Sequence, residues 1–245
     1  MRASSPSHQD NTLTLSVLQE YTADVLHDLG CLVRMMPYTW KARQAILIEL
    51  WSHAIDLGSQ PSLLSLCYYL ARGKGWGALS RMGKYELQFK RLVAQGKDPN
   101  VLMVEATRLL ELGDRLGAIR LLEKARNMDS EDYEWRRLGD VLLSRAYVEL
   151  QRYDEATAVM LPLAEEGVPE AQLELGKIIK QSGKDIREAR EYVFQSLRGG
   201  DMSGTSLLAE MAQEDVSNAK DQASKDEHLR WAIEWSRLAD HKATG

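Results

Sequence analysis

Apolar residues recur at three- and four-residue spacing along almost the whole chain, and no stretch alternates as a half-buried strand would. Leu13, Leu15, Leu18, Tyr21, Val25 and Leu29 predict a first helix that stops at Gly30. Ala42, Ile46, Ile48, Leu50, Trp51 and Ile55 predict a second, with Thr39 as its N-cap and Gly58 as its end. Leu63, Leu64, Leu66, Tyr69 and Leu70 follow Pro61 and run to Gly73, and Leu87, Phe89, Leu92 and Val93 lead to Gly96. Gly30, Gly58, Gly96, Gly113, Gly167, Gly183 and Gly199 all fall where a predicted helix stops, as expected of a residue that enters the left-handed region without a Cβ clash. Asp98-Pro99-Asn100 and Pro169 signal starts. The intervals hold helices of roughly 11–20 residues with short connections, which is the pattern of a bundle or a solenoid.

Internal repetition favours the solenoid. Leu109-Leu110-Glu111-Leu112-Gly113-Asp114 is followed by Ala118, Leu122, Ala125 and Met128-Asp129. This segment resembles a tetratricopeptide (TPR) repeat, in which a first helix ends at a Gly-Asp turn and a second carries a small–large–small pattern. Trp135-Arg136-Arg137-Leu138-Gly139 resembles the opening W-x2-L-G of the same repeat, and Tyr153-Asp154-Glu155-Ala156 its second-helix entry. The two halves stand about five residues further apart than in the family, which implies a lengthened first helix. The step from Ala118 to Ala156 compares with a family period of about 34 residues. From Leu163-Ala164-Glu165-Glu166-Gly167 through Ala171 and Leu175-Gly176, the pattern resembles the Sel1-like variant of the repeat. Ala232-Ile233-Glu234-Trp235-Ser236-Arg237-Leu238-Ala239 resembles the second helix of a final such unit, and weaker echoes lie at Leu50–Gly58 and Phe89–Gly96. The expected fold is all-α: a right-handed α-solenoid of antiparallel helix pairs. Residues 1–11 are expected to be disordered, 12–97 to form an N-terminal helical region with irregular repeats, and 98–245 to form TPR/Sel1-like repeats.

Composition narrows the chemistry. The chain has 245 residues, 44% apolar and 27% charged, as a globular protein should. Its longest apolar runs, Ala45–Trp51 and Leu63–Ala71, fall short of the ~20 residues a membrane span needs. Two cysteines, Cys31 and Cys67, provide no disulfide framework and no CxxC pair. Arg72, Gly73, Lys74, Gly75, Trp76, Gly77 and Gly83-Lys84 suggest a phosphate loop. The spacing is one residue too long, Tyr85 replaces the required Ser or Thr, and no strand precedes it, so the segment reads as a mobile inter-helix loop. The histidines, His8, His27, His53, His228 and His241, read as surface or packing residues without a metal constellation. No nucleophile elbow or metalloprotease motif occurs, and no cofactor or catalytic residue is expected.

Charge is uneven. Residues 1–97 carry 11 Lys/Arg against 7 Asp/Glu, and residues 98–245 carry 20 against 29. Arg72, Lys74, Arg81, Lys84, Lys90, Arg91 and Lys97 face only Glu86, with Trp76 and Tyr85 among them. Such a patch either is a solvated face or meets RNA, phosphate-rich lipid or an acidic protein. Trp231 and Trp235 share one face of the last helix; capping the array is favoured over forming a docking surface.

The resemblance implies a function. TPR ligands commonly lie against first-helix residues, and carried onto this chain that surface is Asn100, Met103 and Thr107, then Tyr133, Arg136 and Asp140, then Glu170, Lys177, Lys180 and Gln181. The implied function is a non-enzymatic protein-binding adaptor or assembly scaffold with a protein or peptide partner. The alternative is a helical-repeat RNA-binding or organelle gene-expression factor using the basic 72–97 segment. The Ser-rich start without an apolar core excludes a secretory signal, leaving cytoplasm first and mitochondrion second.

Overall fold

The structure is a computed structural model that describes residues 18, 20–37, 42–73, 75–128 and 133–243. Among them every regular element is helical. The chain divides into two compact units, with the boundary between Leu112 and Gly113.

The first unit holds α1 (Ala23–Met35), α2 (Arg43–Asp56), α3 (Gln60–Arg72), α4 (Gly83–Gln95) and α5 (Pro99–Glu111). Side-chain caps fix three of the starts. Thr22 accepts from the Val25 N–H, Ser59 from the Ser62 N–H and Asp98 from the Asn100 N–H, satisfying donors that helix geometry leaves free. Helix α1 packs on α2, α2 on α3, and α3 on both α4 and α5. Leu26, Leu47, Trp51, Leu63, Leu66, Phe89, Leu102 and Met103 are fully buried there.

Gly30 does not end α1 but lies buried within it. A Cβ at this position would stand 2.3 Å from Trp51 Nε1, so the glycine is the notch that lets the indole of α2 lie against the α1 backbone. The indole N–H donates to the His27 carbonyl at 3.4 Å. The Gly-rich connection 73–82 is tied down rather than loose. The Gly77 N–H donates to Glu86 Oε1 at 2.8 Å, Gly75 N–H to the Leu70 carbonyl at 2.9 Å, and Trp76 meets Phe89 edge-on at 5.6 Å. Thr39 and Lys74 lie outside the described residues.

The second unit holds α6 (Arg115–Arg126), α7 (Arg136–Glu149), α8 (Tyr153–Glu165), α9 (Pro169–Gln181), α10 (Ile186–Arg198), α11 (Thr205–Asn218) and α12 (Gln222–Ala243). Each packs on the next in chain order, which is how a helical repeat buries its apolar faces. Ala118, Leu122 and Ala125 of α6 are buried, as the small–large–small pattern requires. The lengthened first helix is absent: α7 has 14 residues, like α2 and α11. Trp135 stands at its N-cap rather than inside its first turns, so the extra residues precede the helix.

The short turns after α2, α4, α5, α7, α8, α9 and α10 each use a left-handed residue. Glycine fills this role at Gly58, Gly96, Gly113, Gly167, Gly183 and Gly200, so Gly200 and not Gly199 makes the turn after α10. Between α7 and α8 the left-handed residue is Gln151, with φ of 59°.

Candidate functional site

Helices α7, α9 and α11 alternate with α8, α10 and α12 along the second unit. Charged side chains cross between them. Arg145 of α7 donates to Glu174 Oε1 of α9 at 2.6 Å, and Lys177 reaches the same oxygen at 2.9 Å. Further along the same helix, Lys180 of α9 donates to Glu210 at 2.9 Å and to Glu214 at 2.7 Å, both on α11. A cleft of about 290 Å³ opens beside the first group, lined by Ser144, Arg145, Val148 and Glu149 of α7 and Glu174, Lys177, Ile178 and Gln181 of α9.

Burial works against the Glu174 charge, but Arg145 and Lys177 overcome it and hold this carboxyl below its usual range. Burial likewise opposes the Lys180 ammonium, and its bonds to Glu214 and Glu210 overcome that and raise it. Asp140 shows the other outcome. It is buried with Arg126 at 3.2 Å, and desolvation dominates, so its carboxyl is pushed up despite Arg126 and Arg136. Two close cations outweigh burial at Glu174, while burial outweighs them at Asp140.

The depressed Glu174 carboxyl has a consequence for acid stability. Its contribution is complete above the unfolded value of 4.5 and is lost as pH falls through the lower folded value. The Glu174→Gln variant is therefore expected to be less stable than the parent at neutral pH, with the two converging in acid. Thermal melts at pH 7 and at steps below 4.5 read this difference, and a gap independent of pH contradicts it.

The residues carried over from the TPR resemblance fall into different environments. Arg136 and Glu170 are exposed in the first turns of α7 and α9, Gln181 is exposed at the end of α9, and Lys177 and Lys180 are partly exposed. Tyr133 and Asp140 are buried, although both border a cleft of about 630 Å³ with Arg136. Met103 and Thr107 are buried in the first unit, where α5 lies on α3, and the Thr107 hydroxyl donates to the Met103 carbonyl at 3.0 Å. Asn100 is half-buried at the start of α5. Arg145 and Glu174 were missed by sequence reasoning. Glu174 and Lys177 are spaced for a helical ion pair, but nothing local links Arg145 to them across 29 residues.

The basic segment is partly neutralised. Arg81 pairs with Glu49 at 2.7 Å, and Lys84 pairs with Asp56 at 2.8 Å. Arg72 stands 5.9 Å from the Tyr68 ring centroid. Lys90, Arg91 and Lys97 are exposed.

One arrangement resembling a catalytic site occurs in the first unit. His27 Nδ1 lies 3.0 Å from Ser62 Oγ, and His27 Nε2 lies 3.6 Å from Cys31 Sγ. The i,i+4 spacing of His27 and Cys31 puts both on one face of α1. Burial holds the Cys31 thiol above its ordinary range, with Arg34 opposing and Asp28 adding to it, so the thiolate a nucleophile needs is disfavoured. Among the described residues, no group of three or more His, Cys, Asp or Glu side chains is placed to hold a metal, and no helix is long and apolar enough to cross a membrane.

No protein-family model matches the chain, and no curated protein matches it. Among solved structures, PilF of Pseudomonas aeruginosa, a TPR-repeat protein, is similar. The two superpose with a TM-score of 0.61 at 14% identity, over 94% of this chain and 95% of that one. The chain has an all-α helical-repeat fold of the TPR type.

Proposed function

We propose that this chain is a non-enzymatic protein-binding scaffold that holds a partner polypeptide against α7 and α9. The observation that carries the reading is the 290 Å³ cleft with its fixed charges. It is at the lower end of small-molecule sites, which span roughly 300–1,000 Å³, and suits one or two side chains of a partner. Arg145, Glu174 and Lys177 are oriented by one another, so a partner meets them with little further loss of side-chain freedom. RNA held by the basic segment is the weaker reading, because Arg81 and Lys84 already have carboxylate partners.

A photoreactive residue at Gln181 of the full chain tests the assignment, with one at the exposed Arg187 of α10 as its control. The Gln181 probe is expected to trap a discrete partner that the Arg187 probe does not, and Lys177→Glu is expected to abolish the product. The same products from both positions, or a product indifferent to Lys177→Glu, overturn the groove.

A further inference from the structure

A second pocket, of about 440 Å³, lies where α10, α11 and α12 converge. Its walls are apolar: Phe194 of α10, Leu208 and Ala212 of α11, and Trp231 and Trp235 of α12. Trp235 meets Phe194 edge-on at 5.7 Å, and Trp231 stacks on Trp235 at 6.2 Å between centroids. Trp231 keeps 52% of its surface in water.

Charge around the pocket says what covers it. At its inner end Asp215 is held by Arg190 at 2.5 Å and faces His228 at 4.0 Å, so that carboxylate already has partners. At its rim Glu227 precedes Trp231 by one helical turn and makes no ion pair among the described residues. Glu227 and Trp231 line both this pocket and an adjoining open cleft of about 620 Å³. Tyr68, Tyr85, Trp76 and Tyr147 each have a cation of the protein over the ring, whereas Trp231 and Trp235 have none among the described residues. The second unit carries 19 Lys/Arg against 26 Asp/Glu, so a cationic segment is drawn to it.

We propose that this pocket takes an arginine-bearing apolar segment of a partner protein. A leucine-type side chain fills the space between Phe194, Leu208 and Trp235. A guanidinium lies on the open face of Trp231 with its charge met by Glu227. Guanidinium suits this place better than ammonium because it is planar, weakly hydrated and stacks on aromatic faces. The pocket lies on α10, α11 and α12, whereas the cleft of the proposed function lies on α7 and α9, so each can fail without the other.

The test uses the full chain and two synthetic peptides, acetyl-Leu-Arg-Leu-Leu-Arg-amide and its counterpart with glutamate in place of arginine. Binding is read by calorimetry and by tryptophan fluorescence. The arginine peptide is expected to bind roughly tenfold more tightly, with Trp231→Ala removing most of that and Glu227→Gln weakening it about fivefold. Glu227→Lys should reverse the preference between the peptides, and Lys177→Glu should leave it unchanged. Glu227 is exposed, so its variants decide the matter even if Trp231→Ala perturbs the helix. Equal binding of both peptides, or a preference unmoved by Glu227→Lys, overturns the proposal.

Discussion

Trp51→Ala is expected to destabilise the first unit by about 4 kcal/mol, within the range for deleting a large buried aromatic. The indole is fully buried, lies edge-on to Tyr69 at 6.2 Å and donates to the His27 carbonyl at 3.4 Å. Its removal leaves a void that α1 and α2 can fill only by moving together. Gly30 sharpens the test, because its missing side chain is the space the indole edge occupies. Gly30→Ala brings about 1 kcal/mol of helix propensity. In the parent this gain is overwhelmed, since the new Cβ would meet Trp51 Nε1 at 2.3 Å and Cδ1 at 2.6 Å, and a net loss of about 2 kcal/mol is expected. In the Trp51→Ala background the clash is gone, and the same substitution should stabilise. Urea unfolding of the four proteins measures this reversal of sign. Additive effects would mean that Gly30 and Trp51 do not share one space.

Gly176→Ala is expected to cost about 3 kcal/mol in the second unit, for a harsher reason. A Cβ there would stand 2.7 Å from Val193 Cγ2 and 2.9 Å from the Ala189 carbonyl oxygen. A side chain can turn aside, but the backbone carbonyl of Ala189 moves only with α10. Trimming the valine in a Gly176→Ala/Val193→Ala double variant should therefore recover little of the loss. Thermal unfolding followed by circular dichroism measures it, and full rescue by the double variant would show that the backbone contact is soft.

These two glycines also mark how far the sequence could be read. Gly176 belongs to the Ala171-x3-Leu175-Gly176 run that resembles a Sel1 junction, and close approach of α9 and α10 is what that pattern encodes. Gly30 reads as a helix stop because it follows the apolar series that ends at Leu29, although Cys31, Leu32 and Val33 carry the pattern on. Its partner Trp51 lies on the next helix, and only the packed pair shows why the glycine is there. The candidate cleft divides in the same way. Lys177 and Gln181 follow from the helical register of α9, and both border the cleft. Met103 and Thr107 follow from the equivalent register of α5, yet that face is buried against α3. Register tells which residues share a face; what the face meets is set by a helix elsewhere in the chain.

Gln151 bears on the order in which the second unit assembles. Its φ is nearly that of Gly96, 59° against 60°, but it carries a Cβ and gives up roughly 1 kcal/mol to do so. The isolated segment therefore favours this turn less than a glycine-bearing one would. Within the turn, the Arg152 N–H donates to the Tyr147 carbonyl at 2.9 Å and the Arg152 guanidinium stands 4.5 Å over the Tyr147 ring; from outside it, Glu123 of α6 accepts from the Tyr147 hydroxyl and fixes that ring. Its glycine counterparts can close their hairpins before any tertiary contact exists. The α7–α8 corner instead follows its neighbours and settles once α6 is in place, so it is a product of packing and not a nucleus for it.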